Sequence, residues 1–168
     1  PPSGPSPTTT SISNLALAQF MMGQYDNAIN NYLQALKLKP DLEKARLGLA
    51  QAYWFDGRYK EAYIVSRDLF SRGVIRDGEN FVAYLYRTGY AAWKIGKKEE
   101  AEAYLDKAVK NADQNPLMLD RIAVAYTSMG DIPKAVSAFR EYYPYIRDPE
   151  ERRKVTEIMK ALGNEDGR

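Results

Sequence analysis

Four glycines divide this chain into copies of one unit. Gly23, Gly57, Gly96 and Gly130 each close an apolar stretch with helical spacing, and each stands five residues before an alanine: Ala28, Ala62, Ala101 and Ala135. Both series step by 34, 39 and 34 residues, so one unit is copied four times, with five residues inserted in the middle. Self-similarity at this period belongs to solenoids, in which no copy can bury its apolar face alone and each leans on its neighbours. The glycine has a physical reason. A helix that stops and reverses at once needs a left-handed residue, which a Cβ penalises by roughly 1–2 kcal/mol. The alanine five residues on lets the returning helix approach the outgoing one closely.

The flanking residues make the unit specific. Copy one carries Leu15-Ala16, Gly23, Tyr25, Ala28, Tyr32, Ala35 and Pro40, and copy two carries Leu49-Ala50, Tyr53, Gly57, Tyr59 and Ala62. Copy three has Gly89, Gly96, Ala101 and Ala108, and copy four has Ile122-Ala123, Tyr126, Gly130, Ala135 and Phe139. In this pattern the chain resembles the tetratricopeptide repeat family. Copy two departs from it at Ser66, where a tyrosine is expected, and at Leu69, where a small residue is expected; Pro116 comes late in copy three. The resemblance implies an all-α fold, a right-handed helical-hairpin solenoid of four repeats with a C-terminal capping helix.

In chain order, Pro1 to Thr8 is rich in proline and serine without periodicity and is expected to be a flexible tail, either a spacer or a frayed end. Its Pro2 and Pro5 lack the flanking base of a proline-motif ligand. Repeats are expected over about 9–40, 41–78, 79–115 and 116–144. Thr10 or Ser11, Asp41 and Asn80 are the expected caps of outgoing helices, and Pro116 is expected in a first helical turn. Gly73 to Gly78 holds the insertion and reads as a surface loop. Asp148-Pro149-Glu150-Glu151 reads as cap, first-turn proline and acidic first turn of a ninth helix over 145–163. That helix buries Val155, Ile158, Met159 and Leu162 and stops at Gly163, leaving 164–168 disordered.

Composition removes most chemistry. Cysteine and histidine are absent, so disulfides, thiol nucleophiles, most zinc sites and every relay built on histidine are excluded. Ala91 to Lys98 has alanine and lysine where a phosphate loop needs glycine and a hydroxyl, and nothing converges Asp120 with Glu141. No catalytic residue, metal ligand or cofactor site is expected. Net charge is +2 with both signs interleaved, which gives no basic face for nucleic acid. No apolar run approaches the ~20 residues of a membrane span. A first residue of Pro rather than Met suggests a processed or excised chain, and with the proline-rich leader it favours an exported or periplasmic protein over a cytoplasmic one.

The resemblance also implies a binding surface. In such domains the outgoing helices line a concave groove that holds partner peptides, and by repeat register the groove positions here are Leu17, Phe20 and Met21, then Lys44, Leu47, Gln51, Trp54 and Phe55. Copy three adds Tyr86, Arg87, Tyr90, Trp93 and Lys94, and copy four Val124 and Thr127. Trp54 and Trp93 share one register. Phe20 alone is better explained by packing against its neighbour. A carboxylate clamp would need cations or amides at Ser13, Leu17, Gly48, Ala83 and Arg87, and only Arg87 fits. The expected function is a non-catalytic module binding a protein or peptide partner as an assembly scaffold or adaptor. Homo-oligomerisation is the alternative, with an enzyme or RNA binder more distant.

Overall fold

A computed structural model describes residues 8–78 and 80–165. Among them the regular structure is helical: α1 (Thr9–Met21), α2 (Tyr25–Leu38), α3 (Glu43–Phe55), α4 (Tyr59–Ser71), α5 (Phe81–Lys94), α6 (Lys98–Lys110), α7 (Met118–Met129), α8 (Ile132–Tyr142) and α9 (Pro149–Glu165), with short 3-10 turns at Ala112–Gln114 and Tyr143–Tyr145. The chain divides into two compact units between Arg76 and Asp77. In the first, α1 pairs with α2 and α3 with α4, while α3 packs on α2 and α1. In the second, α5 pairs with α6 and α7 with α8, α7 packs on α5 and α6, and α9 packs on α8.

The four hairpin turns are built alike. Gly23, Gly57, Gly96 and Gly130 have φ of +74°, +77°, +82° and +80°. In each turn the next amide reaches back five residues, from Gln24 to Gln19 O, Arg58 to Tyr53 O, Lys97 to Ala92 O and Asp131 to Tyr126 O, at 2.9–3.0 Å. This satisfies helix-end carbonyls that would otherwise lack partners. Ala28, Ala62, Ala101 and Ala135 are all buried where the returning helix meets its partner. The closeness is measurable in the third hairpin. A Cβ on Gly89 would stand 3.0 Å from Leu105 Cγ and 3.1 Å from the Ala101 carbonyl oxygen. In the first unit Gly48 leaves its space to the buried Tyr32 ring, which a Cβ there would enter.

Copy two's departures from the repeat pattern compensate one another. Ser66 takes the position of Tyr32 and Leu69 that of Ala35, and all four are buried, so a large-small pair becomes a small-large one of similar volume.

Several expectations about termini are corrected. Thr8, assigned to the tail, is the cap of α1, its hydroxyl accepting from the Ser11 amide at 3.2 Å; neither Thr10 nor Ser11 has that role. Residues 1–7 of the expected tail lie outside the described residues. Asp41 does not cap α3, whose flanking residue is Leu42, and Asn80 flanks α5 with a helical backbone and no capping bond. Pro116 precedes α7, which begins at Met118. Asp148 caps α9 as expected, accepting from the Glu150 amide at 3.0 Å, but α9 runs through Gly163 to Glu165 because Gly163 has no positive φ. Residues 166–168 lie outside the described residues. Val155 and Leu162 of α9 are buried, whereas Ile158 is 42% exposed.

The insertion is more structured than a surface loop. Gly73 (φ +67°) ends α4 with the same turn as the four hairpins, the Val74 amide reaching Leu69 O at 2.9 Å. Ile75 follows, only 6% exposed, so the insertion carries its own buried anchor.

Candidate functional site

Helix α5 is apolar around most of its circumference, and ten of its fourteen residues are buried. The four that are not are Arg87, Tyr90, Trp93 and Lys94, which recur at i, i+3, i+6 and i+7 and so form one stripe. Their rings and charges interlock. Tyr90 lies 5.5 Å from Trp93 at an interplanar angle of 67°, and Lys94 Nζ lies 5.4 Å from the Trp93 ring and 5.9 Å from Tyr90. Tyr86 stands behind, 6.0 Å from Tyr90 and 8% exposed, so it supports the stripe rather than surfacing on it.

Arg87 sits 5.8 Å from the Tyr84 ring. Burial pushes its guanidinium below the ordinary value; Tyr84 opposes this, and the like charge of Arg121 adds to it. Arg121 lies 34 residues after Arg87, the same register on α7, so successive helices of one layer bring two guanidiniums together. Beyond Arg121 the exposed side of α7 carries Leu117 and Val124. Asp120 is half-buried there, its carboxyl raised by burial and then by Glu151, and lowered by Arg121.

In the first unit the aromatic residues are arranged differently. Phe20 and Phe55 meet edge to face at 5.4 Å, Tyr25 stacks on Phe55 at 5.7 Å and contacts Phe20 at 5.6 Å, and Trp54 touches Phe55 at 5.1 Å and Tyr59 at 6.2 Å. Five rings therefore gather where α1 and α3 end and α2 and α4 begin. Two of them, Tyr25 and Tyr59, are on returning helices and were not among the expected site residues. Their register in the second unit is held by Lys98 and Ile132, so Trp93 has no equivalent of Tyr59 beside it. The signal was in the sequence, as a tyrosine two residues after the hairpin glycine in copies one and two only. Of the other expected residues, Lys44, Leu17 and Phe55 are exposed, whereas Leu47, Gln51 and Trp54 are half-buried. Met21 is 78% exposed, and Val124 is exposed with Thr127 half-buried.

A polar network joins α6, α7 and α8 of the second unit. Tyr126 donates to Asp106 Oδ1 at 2.6 Å, and Lys134 Nζ lies 3.0 Å from the same carboxylate. These residues line an open cavity of about 210 Å³ with Val109, Lys110 and Ser137. Among the described residues no group of histidine, cysteine, aspartate or glutamate is arranged to hold a metal ion, and no helix is long and apolar enough to cross a membrane.

Residues 16–57 match the family described as TPR repeat, and residues 63–116 match the tetratricopeptide repeat family. A curated relative, small glutamine-rich tetratricopeptide repeat-containing protein 2 of Mycosarcoma maydis, is 38% identical over 83 residues, which are 49% of this chain. The match spans 22% of that relative's length. Two solved structures share the fold at low identity: YrrB, a TPR protein with an unusual peptide-binding site (TM-score 0.66, 18% identity, 92% of this chain and 77% of that one), and MamA (TM-score 0.67, 22% identity, 94% and 85%). The fold is thus a helical-hairpin solenoid, as the repeat period implied.

Proposed function

The chain belongs to the tetratricopeptide repeat family, whose members bind protein partners, and from that premise we propose that it is a non-catalytic adaptor that holds a segment of a partner protein on its outgoing helices. The repeats over 9–40, 41–78, 79–115 and 116–144 are the scaffold, and 145–163 the capping segment. The observation that carries this reading is the α5 stripe, where Tyr90 and Trp93 remain partly open on a helix that is otherwise buried. Aromatic anchors at the centre of an interface supply most of its energy, with charges such as Arg87 and Lys94 fixing register. The first unit offers a second patch over Leu17, Phe20, Lys44, Leu47, Gln51, Trp54 and Phe55. Its rings already saturate one another, so its share of the binding energy is smaller.

Photo-crosslinking from position 90 identifies the bound partner, and titration calorimetry with that partner then ranks variants. Trp93→Ala costs about 2 kcal/mol, roughly a thirtyfold loss of affinity. Arg153→Ala on the exposed side of α9 leaves affinity within about twofold. Arg152 is unsuited as a control, because its Nε donates to Ile146 O at 2.7 Å and holds α9 in place. The opposite ranking would remove the stripe as the site.

One observation favours a second reading, self-association. Helix α1 carries no charged residue and leaves Leu17 and Met21, one turn apart on the same side, exposed, Met21 by 78%. An uncharged apolar face can meet its own copy without like-charge repulsion. The mass in solution decides this reading.

A further inference from the structure

We propose that the partner segment held by the α5–α7 face is acidic and apolar, its carboxylates seated on Arg87 and Arg121 and its apolar side chains on Tyr90, Trp93 and Val124. This deepens the binding role assigned above and rests on it.

Charge complementarity carries the argument. On the side of α5 and α7 that is not buried, the cations are Arg87, Lys94 and Arg121, and the carboxylate is Asp120. Asp120 is half-buried, and its carboxyl is raised by burial and then by Glu151 of α9, which accepts from the Tyr142 hydroxyl at 2.6 Å, while Arg121 lowers it. The two arginines occupy one register on adjacent helices, and the like charge of Arg121 acts on Arg87, so two guanidiniums serve one face, and a guanidinium suits a carboxylate taken bidentately. Holding a half-buried guanidinium close to a like charge is costly, and an incoming carboxylate relieves that cost, whereas a lysine-rich segment adds to it. Apolar surface flanks the pair on both helices. A segment alternating acidic and apolar residues therefore satisfies the face along its length, and a purely acidic one leaves Tyr90, Trp93 and Val124 uncovered.

A single nucleic-acid strand is the competing anion, because bases stack on tyrosine and tryptophan. It fits less well. Strand binding needs cations tracking successive phosphates, while this face has three beside exposed Leu117 and Val124, and the whole chain carries only +2.

The test uses Trp54→Phe protein, in which Trp93 is the single tryptophan, and peptides of about twelve residues alternating leucine and phenylalanine with glutamate, serine or lysine. Trp93 emission shifts with the glutamate peptide, whose affinity exceeds that of the serine peptide by about tenfold or more, as for a charge-assisted contact. Arg121→Gln abolishes that preference without changing serine-peptide binding. Arg87→Lys keeps the charge and loses the fork, so it weakens the glutamate peptide less than Arg87→Gln does, and this ordering excludes simple unfolding as the cause. Equal binding of the glutamate and lysine peptides, an unaltered preference in Arg121→Gln, or tighter binding of oligothymidylate than of the glutamate peptide would overturn the proposal. Loss of the acidic preference with the serine peptide still shifting Trp93 overturns the partner chemistry and leaves the binding role standing. Silence from all three peptides removes both.

Discussion

Beside the packing of α7 on α5 and α6, a polar tie between the third and fourth hairpins centres on one carboxylate, and its energy can be measured by removing each end. Asp106 on α6 accepts from the Tyr126 hydroxyl on α7 at 2.6 Å and pairs with Lys134 on α8 at 3.0 Å. A hydrogen bond to a charged group contributes about 1.5–3 kcal/mol. Here the Asp106 side chain is 40% exposed, so water recovers part of what a variant loses, which brings Tyr126→Phe to about 1–2 kcal/mol. Asp106→Ala leaves the phenol without its acceptor and Lys134 without its nearest carboxylate, about 2–3 kcal/mol. With one interaction counted in both single variants, the double variant should fall short of their sum by about 1 kcal/mol. Urea unfolding followed by circular dichroism gives all four stabilities, provided the slopes agree. The phenol's pKa is raised by burial and then by the Asp106 carboxylate, so this stabilisation is fully present below about pH 10 and fades as alkali ionises the tyrosine. Measurements at pH 7 therefore see all of it. A coupling below about 0.3 kcal/mol would show that the hairpins are held by apolar packing alone.

Two further outcomes are expected. Ile75→Ala destabilises by about 2–4 kcal/mol in thermal or urea melts, because the Ile75 side chain is buried, and trimming 74–78 does at least as much harm; an unchanged midpoint for both would return the segment to a surface loop. If α1 is a self-association face, Leu17→Glu with Met21→Glu converts a dimer seen by light scattering to a monomer, and a wild-type chain monomeric at about 100 μM excludes that reading.

The backbone was legible because it depends on local rules. A glycine at the end of an apolar helical run, an alanine five residues later and a fixed period are stated by the residues themselves, and the four turns and hairpin contacts obey them whatever surrounds them. The ends of the helices were less legible. Thr8, Thr10 and Ser11 are chemically equivalent as caps, and only the packing of Ile12 and Ala16 decides where α1 begins.

The aromatic residues show where sequence ceases to decide. Register places Trp54 and Trp93 at one position of one helix type, which is correct and insufficient. What each ring does depends on residues far from it in the chain: Phe20, Tyr25 and Tyr59 close around Trp54 and Phe55, while Lys98 and Ile132 hold the matching positions after Trp93, leaving that ring to Tyr90 and Lys94. The same limit hides Tyr86, which shares a helix face with Tyr90 but is buried, and Ile75, which sits among turn-forming residues yet is anchored. Period and turn chemistry are properties of neighbours along the chain, so the sequence determines them alone. Exposure is a property of neighbours in space, set by which side chains of other helices arrive at a ring or a guanidinium, and only the tertiary structure decides it.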